Sequence, residues 1–144
     1  MKKTDLAVQL LLSEIKNKQI LEAACGRAEF TSSASVYAQS VSCIDLDSSK
    51  LSCAKRDNIH FEVMDAARMR FPDETFDTVF LYNALSHVHS QWEMIHEECR
   101  RVLKPCGSIY IIATWKMDIT LMKALFGGQA ERYGEFYIWR ERYG

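Results

Sequence analysis

Gln19-Ile20-Leu21-Glu22-Ala23-Ala24-Cys25-Gly26-Arg27-Ala28 is the stretch whose reading decides the fold. Its first half is a short apolar run that ends at an acid, and it reads as a buried strand. Its second half is rich in small residues (Ala23, Ala24, Gly26, Ala28), which let a backbone turn approach a ligand closely. A dinucleotide site would carry G-x-G-x-x-G here, because a pyrophosphate needs bare N–H groups at a helix N-terminus. That pattern is absent. The acid beside the turn therefore favours a ligand with a positive group over a phosphate. Taken alone, the stretch also fits a generic strand-to-helix turn.

The segments around it alternate between helix and strand. Upstream, Thr4 is placed to cap a helix that sets Val8, Leu11, Leu12 and Ile15 on one face. Downstream, residues 29–39 carry a weak helical stripe. Val41 to Ile44 reads as a second strand closed by Asp45, and Asp47-Ser48-Ser49 as the cap of a two-turn helix from Lys50 to Arg56. Ile59 to Val63 alternates as a third strand and leads to Asp65. Asp77 to Tyr82 is nearly all apolar, as in a strand buried on both faces. Residues 90–103 put Trp92, Ile95, Cys99 and Val102 on one helical face, stopped by Lys104-Pro105-Cys106-Gly107. Ser108 to Ala113 is a fifth strand, residues 116–126 a helix or lid, and Glu135 to Arg142 a final strand. This order predicts an α/β, Rossmann-like doubly wound sheet. It is mostly parallel, with five core strands and one C-terminal strand, and helices lie on both faces.

The 144 residues suit one domain spanning 1–144. With 48% hydrophobic and 26% charged residues and a net charge of -1, nothing calls for nucleic acid or a membrane surface. The five cysteines are odd in number and form no C-x-x-C pair. Zinc and a secreted disulfide framework fit poorly, and reduced thiols in the cytoplasm fit well. The start, Met1-Lys2-Lys3-Thr4, leads into an apolar run broken by Asp5, Glu14 and Lys16. That run is too short and too charged for a signal peptide or a membrane span.

In such a sheet ligands bind beyond the carboxyl ends of the strands, near the point where the strand order reverses. The residues after each strand therefore matter most. They are Glu22 with the Ala24, Cys25, Gly26 turn, then Asp45, then Asp65 with Ala66, then Asn83. An acid after the second strand suits a ribose diol. His87 and His89 follow the fourth strand and are candidate bases. The bland readings are a cap for Asp45, a solvated loop for Asp65, and packing or solvent for each histidine.

Six segments in order resemble the class I S-adenosylmethionine-dependent methyltransferases, type 11 domain. They are Ile20–Gly26, Ile44–Asp47, Met64–Ala67, Phe76–Val79, Leu85–Val88 and Glu98–Gly107. The resemblance covers about residues 15–114. It implies S-adenosylmethionine as cofactor, with S-adenosylhomocysteine as product. Glu22, Ala24, Cys25 and Gly26 would hold the methionine end. Asp45 would hold the ribose, with Leu46 against the adenine, Asp65 and Ala66 would read the adenine edge, and the Asn83 backbone would lie beside the methionine. It further implies in-line methyl transfer to an acceptor that the sequence does not name, a small molecule by expectation, with His87 as the first choice for a base and no metal. A catalytically silent partner subunit is the alternative.

The chain departs from the family pattern at Ala24, Ala28 and Cys106, where glycine is usual. It is also short at both ends. Alanine at 28 is expected to narrow the pocket or shift the following helix. With one strand expected after the fifth, a bare sheet edge suggests a homodimer.

Overall fold

The computed structural model describes all 144 residues. Five strands run parallel, in the order β3 (Ile59–Val63), β2 (Ser40–Asp45), β1 (Gln19–Ala23), β4 (Phe76–Tyr82), β5 (Leu103–Ala113). The sheet continues with β7 (Phe136–Arg142), antiparallel to β5, and ends with β6 (Glu131–Tyr133), antiparallel to β7. The order reverses between β1 and β4, so the crevice for a ligand opens beside the end of β1.

Side chains of a strand alternate between faces, and both faces of this sheet are covered. Val79, Leu81, Ile109 and Ile111 face α4 (Trp92–Val102) and α5 (Lys116–Phe126), where Trp92, Ile95, Cys99 and Met122 meet them. Phe80, Tyr110 and Ile112 face α1 (Lys3–Leu10) and α2 (Glu29–Ala34), against Val8, Ile15, Phe30 and Ala34. This two-sided burial explains why β4 and β5 read as continuous apolar runs rather than alternating ones. No helix is long and apolar enough to cross a membrane.

Four local expectations change. Residues 50–56 form no helix. The Asp47 carboxylate accepts from the Ser49 N–H and hydroxyl, Ser52 N–H donates to the Arg27 carbonyl, and Ala54 N–H donates to the Ser32 hydroxyl. The β2–β3 connection thus satisfies its donors against the β1 turn and α2, and helical bonds are not needed. Thr4 lies inside α1 rather than capping it, and its hydroxyl donates to Tyr82 Oη at 3.3 Å. The segment after β4 contains a short helix, α3 (Leu85–Val88), that periodicity did not reveal. The C-terminal end has two strands rather than one. β6 covers β7, and the new edge is three residues long with Glu131 and Arg132 exposed, so the reason for a dimer at a bare edge no longer holds.

Candidate functional site

Beyond the carboxyl ends of the strands lies a cavity of about 730 Å³, in the range of small-molecule sites. The residues singled out after β1, β2, β3 and β4 line it, His89 excepted.

At the end of β1, Glu22 is only 2% exposed. One of its oxygens accepts from both the Thr31 hydroxyl at 2.7 Å and the Thr31 N–H at 3.1 Å, in the first turn of α2. Burial pushes the carboxyl up to about 8 against the lowering effect of Thr31, and the neighbouring Cys43 and Asp45 add to the rise. A buried acid in the wall of a cavity is a receptor for a cationic group, whose charge would favour the ionised form.

The turn after β1 places Ala24 (φ 55°), Gly26 (φ 54°) and Ala28 (φ 62°) in the left-handed region. Each alanine there is disfavoured by roughly 1–2 kcal/mol, yet the chain takes the path that glycine would take freely. Ala28 does not narrow the cavity. Its methyl is fully buried in a cluster with Cys25 and Cys43, on the side away from the ligand space. Cys25 borders both the cluster and the cavity.

At the end of β2, Asp45 Oδ2 accepts the Gly26 N–H at 2.8 Å, and Oδ1 accepts the Asp47 N–H at 3.3 Å. A carboxylate offers about four acceptor positions, so room remains for ligand hydroxyls. Leu46 is 70% exposed at the rim, an apolar side chain with no protein partner to cover it. After β3, Asp65 Oδ1 accepts the Ala67 N–H at 2.9 Å, and Met64 and Ala66 form a buried apolar floor. Asn83, after β4, has φ 51° and a side chain bonded twice to Thr114: Nδ2 donates to Thr114 Oγ1 at 2.8 Å, and Oδ1 accepts the Thr114 N–H at 2.7 Å. This pair ties the ends of β4 and β5 together and fixes the Asn83 amide against Thr114.

The two histidines part company. His87 is exposed and lines the cavity; its N–H donates to the Ala84 carbonyl at 3.0 Å, and its imidazole makes no hydrogen bond within the protein. His89 lies outside the cavity with Nδ1 3.1 Å from the Leu85 carbonyl. Among the lining residues that sequence reading did not assign a role are Lys3 and Thr4 on α1, Tyr82 at the end of β4, and Trp115 after β5. The apolar-to-polar change at Tyr82 and the aromatic directly after the fifth strand were the available signals. Three or more His, Cys, Asp or Glu side chains do not gather as metal ligands anywhere.

The lining carries five acids (Glu22, Glu29, Asp45, Asp47, Asp65) against three bases (Lys3, Arg27, Lys50). Arg27 faces Glu29 at 3.7 Å. The field suits a ligand with cationic centres, and the donors and acceptors suit a nucleoside.

A strand order of this kind, with the antiparallel β7 beside β5 and acids after β1, β2 and β3, is that of the class I methyltransferases. Residues 21–111 match the family described as "Methyltransferase domain", and the chain belongs to that family. S-adenosylmethionine is the cofactor of this class. Demethylmenaquinone methyltransferase of Shouchella clausii is 31% identical over 116 residues, covering 74% of this chain and 49% of the relative. Sterol 24-C-methyltransferase of Gibberella zeae is 41% identical over 61 residues, covering 42% of this chain and 16% of the relative. The chain thus spans half or less of these curated relatives. A solved S-adenosylmethionine-dependent methyltransferase of Aquifex aeolicus superposes with a TM-score of 0.71 at 17% identity, over 97% of this chain and 89% of that one, which is a likeness of fold.

Proposed function

We propose that the chain transfers a methyl group from S-adenosylmethionine to a small-molecule acceptor. The observation that carries this reading is the convergence of Glu22, Asp45 and Asp65, from the ends of three adjacent strands, on one cavity. Glu22 and the Ala24–Gly26 turn take the cationic methionine end, Asp45 takes the ribose, and Asp65 with Ala66 takes the adenine edge, under Leu46. Asn83 borders the methionine through its backbone.

Bound cofactor supplies a methyl on a sulfonium, a good leaving group for in-line displacement. The protein's part is chiefly to hold the acceptor atom within ~3–3.5 Å of that methyl and in line with it. Trp115 and Tyr82 stand at the same cavity and offer flat apolar surface with a polar tip for an acceptor. His87, whose imidazole has no internal hydrogen bond, removes the acceptor proton where the nucleophile carries one. The names of the relatives, a sterol and a demethylmenaquinone enzyme, support a small-molecule acceptor.

The test is transfer of isotopically labelled methyl to a panel of phenols, quinols, amines and thiols, with His87→Ala beside the wild type. Transfer by the wild type is expected, with loss of ~10²-fold or more in the variant for acceptors that must be deprotonated and unchanged cofactor affinity. Bound cofactor with no transfer to any acceptor would favour a silent partner subunit.

A further inference from the structure

Two neighbouring segments form the cavity wall beyond β4 and β5. One runs from Asn83 through α3 and brings His87 and Val88 to the cavity; the other brings Thr114 and Trp115. They are joined at two levels. The Asn83 side chain and Thr114 share two hydrogen bonds at the strand ends. A few residues further on, the Leu85 N–H donates to Asp118 Oδ2 at 3.2 Å and carries the tie from the strands to the helices.

Asp118 lies in the first turn of α5 and is only 1% exposed. Its other oxygen, Oδ1, is buried with no hydrogen-bond partner. A buried polar atom left unpaired is destabilising, and an apolar side chain would fill the same place without that cost. Packing therefore does not explain the carboxylate. What it supplies is an acceptor for α3. That helix has four residues, too few to hold themselves in water. Ala84 stands at its N-cap and offers no side-chain acceptor for the free N–H groups of the first turn. The Leu85 N–H finds its acceptor on α5 instead, while the His87 N–H closes the turn on the Ala84 carbonyl.

We infer that Asp118 is a positioning residue: it anchors α3, and with it the His87 imidazole, against the Trp115 side of the cavity. Asp118 does not itself reach the cavity, so it acts through the helix. Glu22, Asp45 and Asp65 stand at the ends of other strands and do not depend on this anchor. An acceptor atom must be held within ~3–3.5 Å of the methyl and in line with it, so a loosened α3 lowers turnover and spares cofactor affinity. This consequence rests on the proposed methyl transfer; the anchoring of α3 does not.

The experiment compares the whole wild-type chain with Asp118→Asn, which keeps an acceptor for the Leu85 N–H, and Asp118→Leu, which fills the space without one. Backbone amide exchange is followed by NMR. The amides of residues 85–88 are expected to exchange about tenfold faster or more in Asp118→Leu. They should stay near the wild type in Asp118→Asn, with the amides of β1, β2 and β4 unchanged in both. Affinity for S-adenosylhomocysteine should stay within about twofold throughout. In labelled-methyl transfer, kcat should fall about tenfold or more in Asp118→Leu, with KM for S-adenosylmethionine unchanged and kcat recovered in Asp118→Asn. Exchange in Asp118→Leu that rises evenly along the chain would show a role in stability alone and overturn the assignment. Unchanged exchange of α3 would overturn it too. Should that variant fail to fold, the wild-type Leu85 amide decides: protection is expected, and exchange at the rate of an open amide would overturn the anchor. A loosened α3 with undiminished turnover would overturn the positioning role. A wild type that binds S-adenosylhomocysteine but methylates no acceptor would contradict the methyl-transfer reading, while the exchange data still decide the anchor.

Discussion

The carboxylate of Asp45 accepts the backbone N–H of Gly26 at 2.8 Å and so links the end of β2 to the turn after β1. One residue thereby has two tasks. It holds the path of a turn that contains two strained alanines, and it presents its other lone pairs to the cavity. The turn proposed for the methionine end and the position proposed for the ribose are set by the same side chain, so a change at either is felt at both.

Glu22 makes stability depend on pH. Its folded carboxyl is raised to about 8 from an ordinary 4.5, so the native state holds a proton that the unfolded chain releases. This contribution is complete below pH 4.5 and is lost as pH rises to about 8, by up to about 1.4 kcal/mol per pH unit within that window. Denaturant melts between pH 5 and 8 should show this fall in the wild type and a flatter profile in Glu22→Gln. Parallel profiles would contradict the assignment.

The left-handed residues give a graded set of substitutions. Cys106 is exposed with φ 69°, so Cys106→Gly should stabilise by up to ~1 kcal/mol by relieving strain, net of the added flexibility of glycine. Ala24→Gly should gain a similar amount. Ala28→Gly should gain nothing, because its buried methyl, worth ~0.8 kcal/mol, is lost with the strain. Thermal unfolding of the three variants measures the order; a stabilising Ala28→Gly would break it.

Gly107 is required for a different reason. A Cβ there would lie 2.9 Å from the Asp77 and Lys104 carbonyl oxygens and from a Leu103 methyl. Backbone cannot yield as a flexible side chain does. Gly107→Ala should destabilise by about 1–3 kcal/mol, read by chemical denaturation. A neutral result would mean that the α4–β5 junction adjusts freely.

Much of this was legible from residues. The first two strands announced themselves as short apolar runs closed by an acid, and β4 and β5 as continuous apolar runs, because a strand buried on both faces cannot alternate and its ligand groups must wait for its end. What escaped the sequence was decided by tertiary contact. Residues 50–56 carry cap and helix residues, yet Ser32 and Arg27 take their backbone donors. β6 is three exposed polar and aromatic residues, and only pairing with β7 makes it a strand. The gathering of Cys25, Ala28 and Cys43 in one buried cluster follows from the pairing of β1 with β2, which separation in sequence does not encode. Ala24 and Ala28 depart from the family pattern in sequence, yet their backbone takes the left-handed conformation that favours glycine.

The most direct test of the cofactor site is calorimetric titration of S-adenosylhomocysteine into the reduced wild type, Asp45→Asn and Asp45→Ala. One-to-one binding to the wild type is expected. Asp45→Ala should weaken it by about 1.4 kcal/mol or more, tenfold in affinity. Asp45→Asn, which keeps an acceptor for the Gly26 N–H, should weaken it less. No binding to a folded wild type, or equal affinity in all three, would contradict the placement of the cofactor between Glu22, Asp45 and Asp65.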